Sequence, residues 1–254
     1  MRVVITGAAG RIGALMVEEL GEDHDLLLID RVAVPQRKSV IADLATTHTD
    51  VLGRAWWRFR SRSWMHLFEG ADVVLHLAAD MRNAAPWKAV LRDNIEATWN
   101  VIQAAARYRV PRMVFASSNW AVRGLEQALA PACYQPCGPK IGAADSPQPL
   151  SAYGISKALG EQAGRMFVDQ GQLRSFVAVR IGAYAPEPYR SDDRLRALWI
   201  GSSDIRTLLR RCVESTAEGF HVVYGVSAQP TAPYDLTYTG DFLSWKPRQN
   251  ALNE

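Results

Sequence analysis

Long hydrophobic runs are missing from this 254-residue chain. None approaches the roughly 20 apolar residues that crossing a bilayer requires, so no membrane partner is expected. Cysteine is scarce: Cys133, Cys137 and Cys212 make an odd set without the spacing of a disulfide framework. They read as reduced thiols of a cytoplasmic protein. The histidines, His24, His48, His66, His76 and His221, are scattered, none at ligand spacing from another histidine or a cysteine, so no metal site is expected. Charge of one sign is also lacking. A net charge of +3 is too mild to argue for nucleic acid. The first residues, Met1-Arg2-Val3-Val4, pass directly into an apolar run and leave no room for a signal peptide. There is no internal repeat and no low-complexity tract.

What remains, 48% hydrophobic and 22% charged, is ordinary globular composition able to bury a full core. The chain is organised around residues 3–30, VVITGAAGRIGALMVEELGEDHDLLLID. An apolar run, Val3-Val4-Ile5, ends at a turn with Gly7, Gly10 and Gly13. An amphipathic run follows, and a second apolar run, 26–29, closes on Asp30. Strand, tight turn, helix, strand and terminal acid form the order a dinucleotide demands. Gly7 lets the chain leave the strand sharply, Gly10 lets backbone approach a pyrophosphate, and Gly13 allows close packing of helix on sheet. The helix N-terminus offers unpaired N–H groups and a positive dipole end to the phosphates.

Further along, residues 39–42 predict a third strand with Asp43 at its carboxyl end, where such sheets place ligand contacts. Residues 54–64, RAWWRFRSRSW, interleave basic and aromatic side chains. On a nearly neutral chain this isolated patch reads better as an inserted hairpin or helix edge than as a surface for single-stranded nucleic acid. Residues 71–77 predict a strand buried on both faces, followed by small Ala78 and Ala79, which allow close approach of a bulky ligand. A helix is expected over 86–107 with Pro86 in its first turn, then a strand over 112–116 ending in Ser117-Ser118-Asn119. Residues 131–149 form a Pro- and Gly-rich loop. A helix begins at Ser151, a sixth strand covers 173–179, Ser202 or Ser203 caps another helix, and 221–224 add a short strand. The alternation predicts an α/β fold: a doubly wound parallel Rossmann sheet. It forms a single domain over 1–254, with a small substrate lobe built mainly from 183–254.

Tyr153 and Lys157 sit four apart on one helix face. A free tyrosine, with a pKa near 10, is too weakly acidic to act as a base at neutral pH. A neighbouring ammonium, or an oxidised nicotinamide, favours its phenolate. So tuned, it can take the hydroxyl proton of an alcohol as hydride leaves the carbon. Ser117 or Ser118, at the end of the fifth strand, can hydrogen-bond the same oxygen.

TGAAGRIG at 6–13, Asp30, Asp43-Leu44, HLAA at 76–79, Asn94, SSN at 117–119 and YGISK at 153–157 together resemble an extended short-chain dehydrogenase/reductase, the NAD-dependent epimerase/dehydratase family. FASSN at 115–119, VRIG at 179–182, PEP at 186–188, GVSA at 225–228 and FLSWKPRQNA at 242–251 narrow the likeness to uronate-type dehydrogenases that oxidise C1 of a sugar. The resemblance implies NAD as cofactor, with Gly7, Gly10 and Gly13 on the pyrophosphate and Arg11 and Ile12 beside them. It implies Asp30 on the adenosine ribose and Asp43 on the adenine amino group. Leu44, Leu77, Ala78, Ala79 and Ile181 would lie along the cofactor, and Asn94 in its support. Ser118 is then the catalytic serine and Tyr153 the base. Lys157 binds the nicotinamide ribose. Asp80, Met81, Asn119, Trp120 and Arg180 join Ser118 and Tyr153 around the substrate. Arg180, placed just after the sixth strand, would grip a carboxylate or, in the competing reading of the same position, form a structural ion pair at a strand end.

The family pattern also implies a homo-oligomer and a small sugar or sugar-acid substrate. Two departures fall at the substrate: Trp120 stands where the relatives have histidine, and Asp80-Met81 where uronate dehydrogenase has serine. Arg31, next to Asp30, is a residue able to accommodate the 2′-phosphate of NADP. The competing functions are a nucleotide-sugar epimerase or dehydratase and a catalytically silent NAD(P)-binding regulator. The first needs a larger C-terminal lobe than the residues after Tyr153 provide. The intact Ser118, Tyr153 and Lys157 set counts against the second.

Overall fold

The computed structural model describes residues 1–46, 64–82 and 84–252. The chain runs β1 (Arg2–Thr6), α1 (Arg11–Leu20), β2 (Asp25–Asp30), β3 (Val40–Ile41) and β4 (Val73–His76). A long helical stretch follows: α2 (Trp87–Val90), a π-helical segment Leu91–Glu96 and α3 (Ala97–Arg107). Then come β5 (Arg112–Ser118), α4 (Arg123–Leu129), α5 (Ala152–Asp169), β6 (Ser175–Ile181) and β7 (Ala183–Tyr184). The chain ends with α6 (Asp193–Ala197), β8 (Trp199–Ile200), α7 (Ser202–Glu214), β9 (Gly219–Gly225) and α8 (Thr237–Leu243).

Seven strands form one sheet in the order β3-β2-β1-β4-β5-β6-β9, and every pairing is parallel. Strand order reverses between β1 and β4, the switch point at which doubly wound sheets open a ligand crevice. Side chains alternate across the sheet. Val3 and Ile5 enter one apolar layer with Met16 and Leu20 of α1 and Leu208 and Cys212 of α7. Val4 enters the other with Val101 and Ile102 of α3 and Phe167 of α5. Both faces are covered, which is why these strands read as near-continuous hydrophobic runs. A third cluster, including Val122, Ile141, Leu198, Tyr224 and Tyr234, draws on residues from before and after α5.

Several boundaries differ from expectation. The sixth strand reaches Ile181, not Val179, so Arg180 lies inside it, in register with Ser117 and Tyr224. The expected helix over 86–107 is interrupted by its π segment, which the apolar spacing does not reveal. Neither Ser202 nor Ser203 caps α7; Gly201 is the N-cap residue. The side chain of Gln249, far along the chain, instead accepts hydrogen bonds from the backbone N–H of Ser203 (3.0 Å) and Asp204 (3.2 Å). Loop 131–149 contains a 3-10 turn at Ala132–Tyr134. It is tied down by Lys140, which donates to the carbonyls of Cys133, Gln135 and Ala232 at 2.8–2.9 Å. Of the basic-aromatic segment 54–64, only Trp64 lies within the described residues. It is buried and donates through Nε1 to the Thr46 carbonyl at 3.0 Å. Among the described residues no helix is long and apolar enough to cross a membrane.

Candidate active site

A cleft of about 790 Å³ opens at the carboxyl ends of β1, β4, β5 and β6. Its floor is the turn after β1. Gly7 adopts φ +73°, and a Cβ there would stand 2.5 Å from the Ala78 backbone nitrogen. The turn therefore admits no side chain, and the β4 end packs directly on it. At Gly13 a Cβ would meet the Gly7 carbonyl oxygen at 2.1 Å, which accounts for the helix lying so close. Gly10 is the N-cap residue of α1, and no side chain caps that end. Its leading N–H groups face the cleft as an anion cradle. Asp30, at the tip of β2, accepts from Ala9 N at 2.9 Å and so holds its carboxylate against the turn. The donor set and the glycine-shaped space fit a dinucleotide.

At the adenine end the lining includes Asp30, Arg31, Val32, Leu44 and Asp93. Arg31 is engaged by Asp93 and Asp43, and Arg92 by the same two acids. Its hydrogen bond to Asp93 is the main influence holding the Arg31 charge above its usual range, against partial burial. Asp43 is committed to this cluster and is absent from the lining residues, unlike the adenine contact expected of it.

The π segment places Asn94, 2% exposed, under the β4 loop. Its Oδ1 accepts from Asp80 N at 2.7 Å, while Nδ2 donates to Asp80 O at 2.9 Å and Ser156 Oγ at 3.1 Å. Asn94 thus braces the loop against α5 from outside the cleft.

The middle of the cleft is lined by Ser118, Asn119, Trp120, Tyr153 and Lys157, together with Leu77, Ala78, Ala79, Asp80, Met81 and Ile181. The helix carrying Tyr153 and Lys157 starts at Ser151, whose Oγ accepts from Gly154 N at 3.0 Å. Lys157 donates to the Ala116 carbonyl at 2.7 Å and stands 5.6 Å from the Tyr153 ring centre. Burial pushes the Tyr153 phenol up to about 12, and hydrogen bonding with Ser118 opposes this. Burial also lowers Lys157 to about 7, with Glu161 pulling the other way. In the protein itself, then, desolvation outweighs the lowering of the tyrosine that the Tyr-Lys spacing suggested. Lys157 is the group that titrates near neutrality.

Arg180 forms the structural ion pair that was the alternative to a substrate contact. It is 1% exposed, outside the cleft, in the layer between the sheet and α5. Its Nε and Nη2 donate to Glu161 at 3.0 and 2.9 Å, and its Nη1 donates to Tyr224 Oη at 2.9 Å and to Asp145 O at 3.2 Å. Burial works against its charge, but Glu161 and then Tyr224 outweigh that and hold it fully protonated. Four of its five N–H donors are thus committed within the protein, and it does not line the cleft. Among the arginines that do line the cleft, sequence reasoning missed Arg82 and Arg194 of α6, along with Tyr184 and Tyr189. The only sequence signal for Arg194 is Asp192, whose side chain caps α6 and fixes that short helix over the cleft.

The parallel sheet, its glycine turn at the switch point and the Ser-Tyr-Lys set define a dinucleotide-binding protein of the Rossmann class. The sequence pattern of the NAD dependent epimerase/dehydratase family matches residues 3–203. The chain belongs to that family. It is 32% identical over 252 residues to an NAD-dependent glucose-6-phosphate dehydrogenase of Haloferax volcanii, covering 98% of this chain and 94% of that one. It is 32% identical over 262 residues to an L-arabinose 1-dehydrogenase (NAD(P)(+)) of the same organism, covering 98% and 97%. Among solved structures it is similar to a variant of uronate dehydrogenase from Agrobacterium tumefaciens complexed with NAD. There the TM-score is 0.79 and the identity 29%, with 99% of this chain and 86% of that chain covered.

Proposed function

We propose that this protein oxidises a free cyclic sugar or sugar acid at C1 with NAD, producing a lactone. One observation carries the reading: Ser118, Tyr153 and Lys157 line the same cleft as the glycine turn and Asp30. The three relatives, named as dehydrogenases of a sugar phosphate, a sugar and a sugar acid, support it.

The residues divide the work. Gly7, Gly10 and Gly13 with the α1 N-terminus bind the pyrophosphate, and Asp30 accepts from the adenosine ribose hydroxyls. Bound NAD⁺ supplies a hydride acceptor and a positively charged ring. Lys157 holds the nicotinamide ribose, and its ammonium, like that ring, favours the Tyr153 phenolate. Tyr153 takes the proton from O1 while the C1–H bond breaks and its electron pair leaves as hydride. The C1–O1 bond becomes the lactone carbonyl, and Ser118 donates a hydrogen bond to that oxygen throughout. Trp120 and Met81 form the apolar wall for the sugar ring.

NAD rather than NADP is favoured by Asp30 and by the engagement of Arg31 with Asp93 and Asp43. Homo-oligomer formation belongs to the same proposal. Its support is an exposed apolar strip, Trp99, Leu159 and Met166, on α3 and α5, and size-exclusion chromatography with light scattering tests it. The test of function is a panel of aldoses, uronates and sugar phosphates with NAD⁺ and NADP⁺, read by absorbance of the reduced cofactor. Reduction of NAD⁺ by at least one free sugar is expected. None with any of them would overturn the reading.

A further inference from the structure

The sugar end of the cleft contains two arginines, Arg82 and Arg194, and each is already matched with a carboxylate. Arg82 is paired with Asp80 at 2.6 Å. Arg194 is held by Glu126, a fully buried acid on α4. Nε of Arg194 donates to Glu126 Oε1 at 2.6 Å, and Nη2 donates to Oε2 at 3.1 Å. A guanidinium recognises a carboxylate through two parallel N–H groups on one edge, and here that edge is filled by the protein's own acid.

Glu126 is itself fixed on every side. Tyr134 Oη donates to Oε1, Tyr234 Oη donates to Oε2 at 3.2 Å, and Arg123 Nη1 approaches at 3.1 Å from the same helix. Tyr234 in turn stacks on Tyr224, ring centres 4.4 Å apart. Glu126 therefore cannot swing aside to make room for a competing anion without uncovering buried hydroxyls. The Arg194 guanidinium carbon stands over the Trp120 ring, 5.7 Å from its centre. What the substrate meets is an indole face, the Met81 side chain and the remaining N–H groups of an arginine whose carboxylate-binding edge is already filled. Such a surface suits the C–H face and hydroxyls of a sugar ring. A second carboxylate or a phosphate there would be brought close to Glu126 and Asp80.

We propose that Glu126 sets the substrate charge this cleft accepts, holding Arg194 so that the preferred substrate is an uncharged aldose rather than a uronate or sugar phosphate. The proposal rests on the dehydrogenase reading and narrows it. Glu126 touches neither substrate nor cofactor; it is a positioning residue acting through Arg194.

The test compares kcat/KM with NAD⁺ for galactose, glucose and arabinose against galacturonate, glucuronate and glucose 6-phosphate, in the wild type and in Glu126→Gln. In the wild type the neutral sugars should lead. In Glu126→Gln the ratio of uronate to matching aldose should rise about tenfold, the size of one charge-assisted contact. A merely structural role for Glu126 would lower all substrates together and leave that ratio unchanged, which would overturn the proposal. So would a wild-type preference for either anion class, a result that needs no variant to fold and leaves the dehydrogenase reading standing. Absence of turnover with every sugar would overturn both.

Discussion

Arg180 and Glu161 face each other across the buried layer between β6 and α5, joined edge to edge by two hydrogen bonds of 3.0 and 2.9 Å. Each residue is 1% exposed. Ser117 donates to the same carboxylate at 2.5 Å, so of the two serines that line the cleft the first has its hydroxyl committed to this inner network. The pair fastens α5, with Tyr153 and Lys157, to the sheet, and neither partner lines the cleft.

Removing one partner leaves the other charge buried and alone. Arg180→Ala should therefore cost about 3–5 kcal/mol of stability, measured by urea unfolding. Any fall in kcat/KM should be the same for uronates and neutral aldoses. A loss confined to uronates would return Arg180 to the substrate.

Tyr153→Phe removes only the proton acceptor. We expect kcat to fall at least about a hundredfold, the usual share of general acid–base catalysis. NAD affinity, followed by fluorescence titration, should be largely unchanged. Retention of more than about a hundredth of the wild-type rate would assign the base to another group.

Cofactor choice depends on two neighbouring side chains. Asp30→Ala should raise KM for NAD⁺ about tenfold, the value of a charge-assisted contact. Asp93→Ala should free Arg31 and narrow the preference for NAD⁺ over NADP⁺. A wild-type enzyme several-fold better with NADP⁺ would contradict this assignment of Asp30 and Arg31.

Lys157 carries a pH signature. Burial lowers it to about 7, from an ordinary lysine value of 10.5. Between those values the unfolded chain binds the extra proton, so this group's contribution makes stability rise with pH. Below pH 7 both states are protonated, and the burial penalty is fully present. Thermal melts of wild type and Lys157→Met, with no dinucleotide added, should diverge below about pH 7 with the variant the more stable. Their difference should shrink as pH rises toward 10. A constant difference across that window would mean that Lys157 titrates normally.

Some of this was legible in the sequence because the signal is local. The glycine turn, Asp30 and the Tyr153–Lys157 spacing each depend on a few consecutive residues whose backbone or helical geometry leaves little choice. The parallel, doubly wound character of the sheet follows from the alternation of elements. What was not legible depends on long separations or on a shift of two residues. Ending β6 at Val179 puts Arg180 on the rim, whereas its true end at Ile181 puts that arginine inside the sheet layer. The Arg194–Glu126 contact joins residues 68 apart, through a loop that no periodicity describes. The π segment that delivers Asn94 keeps apolar residues near helical spacing and shows itself only in its hydrogen bonds. The capping of α7 by Gln249 replaces a serine cap that looked adequate from the local sequence.

The most direct test of the central claim is the fate of the hydrogen on C1. Incubated with NAD⁺ and an accepted sugar carrying deuterium at C1, the protein should yield reduced cofactor bearing one deuteron and an equal amount of lactone or its hydrolysed acid, both read by mass spectrometry. Reduced cofactor without the label, or an epimerised sugar with no net reduced cofactor, would contradict oxidation at C1.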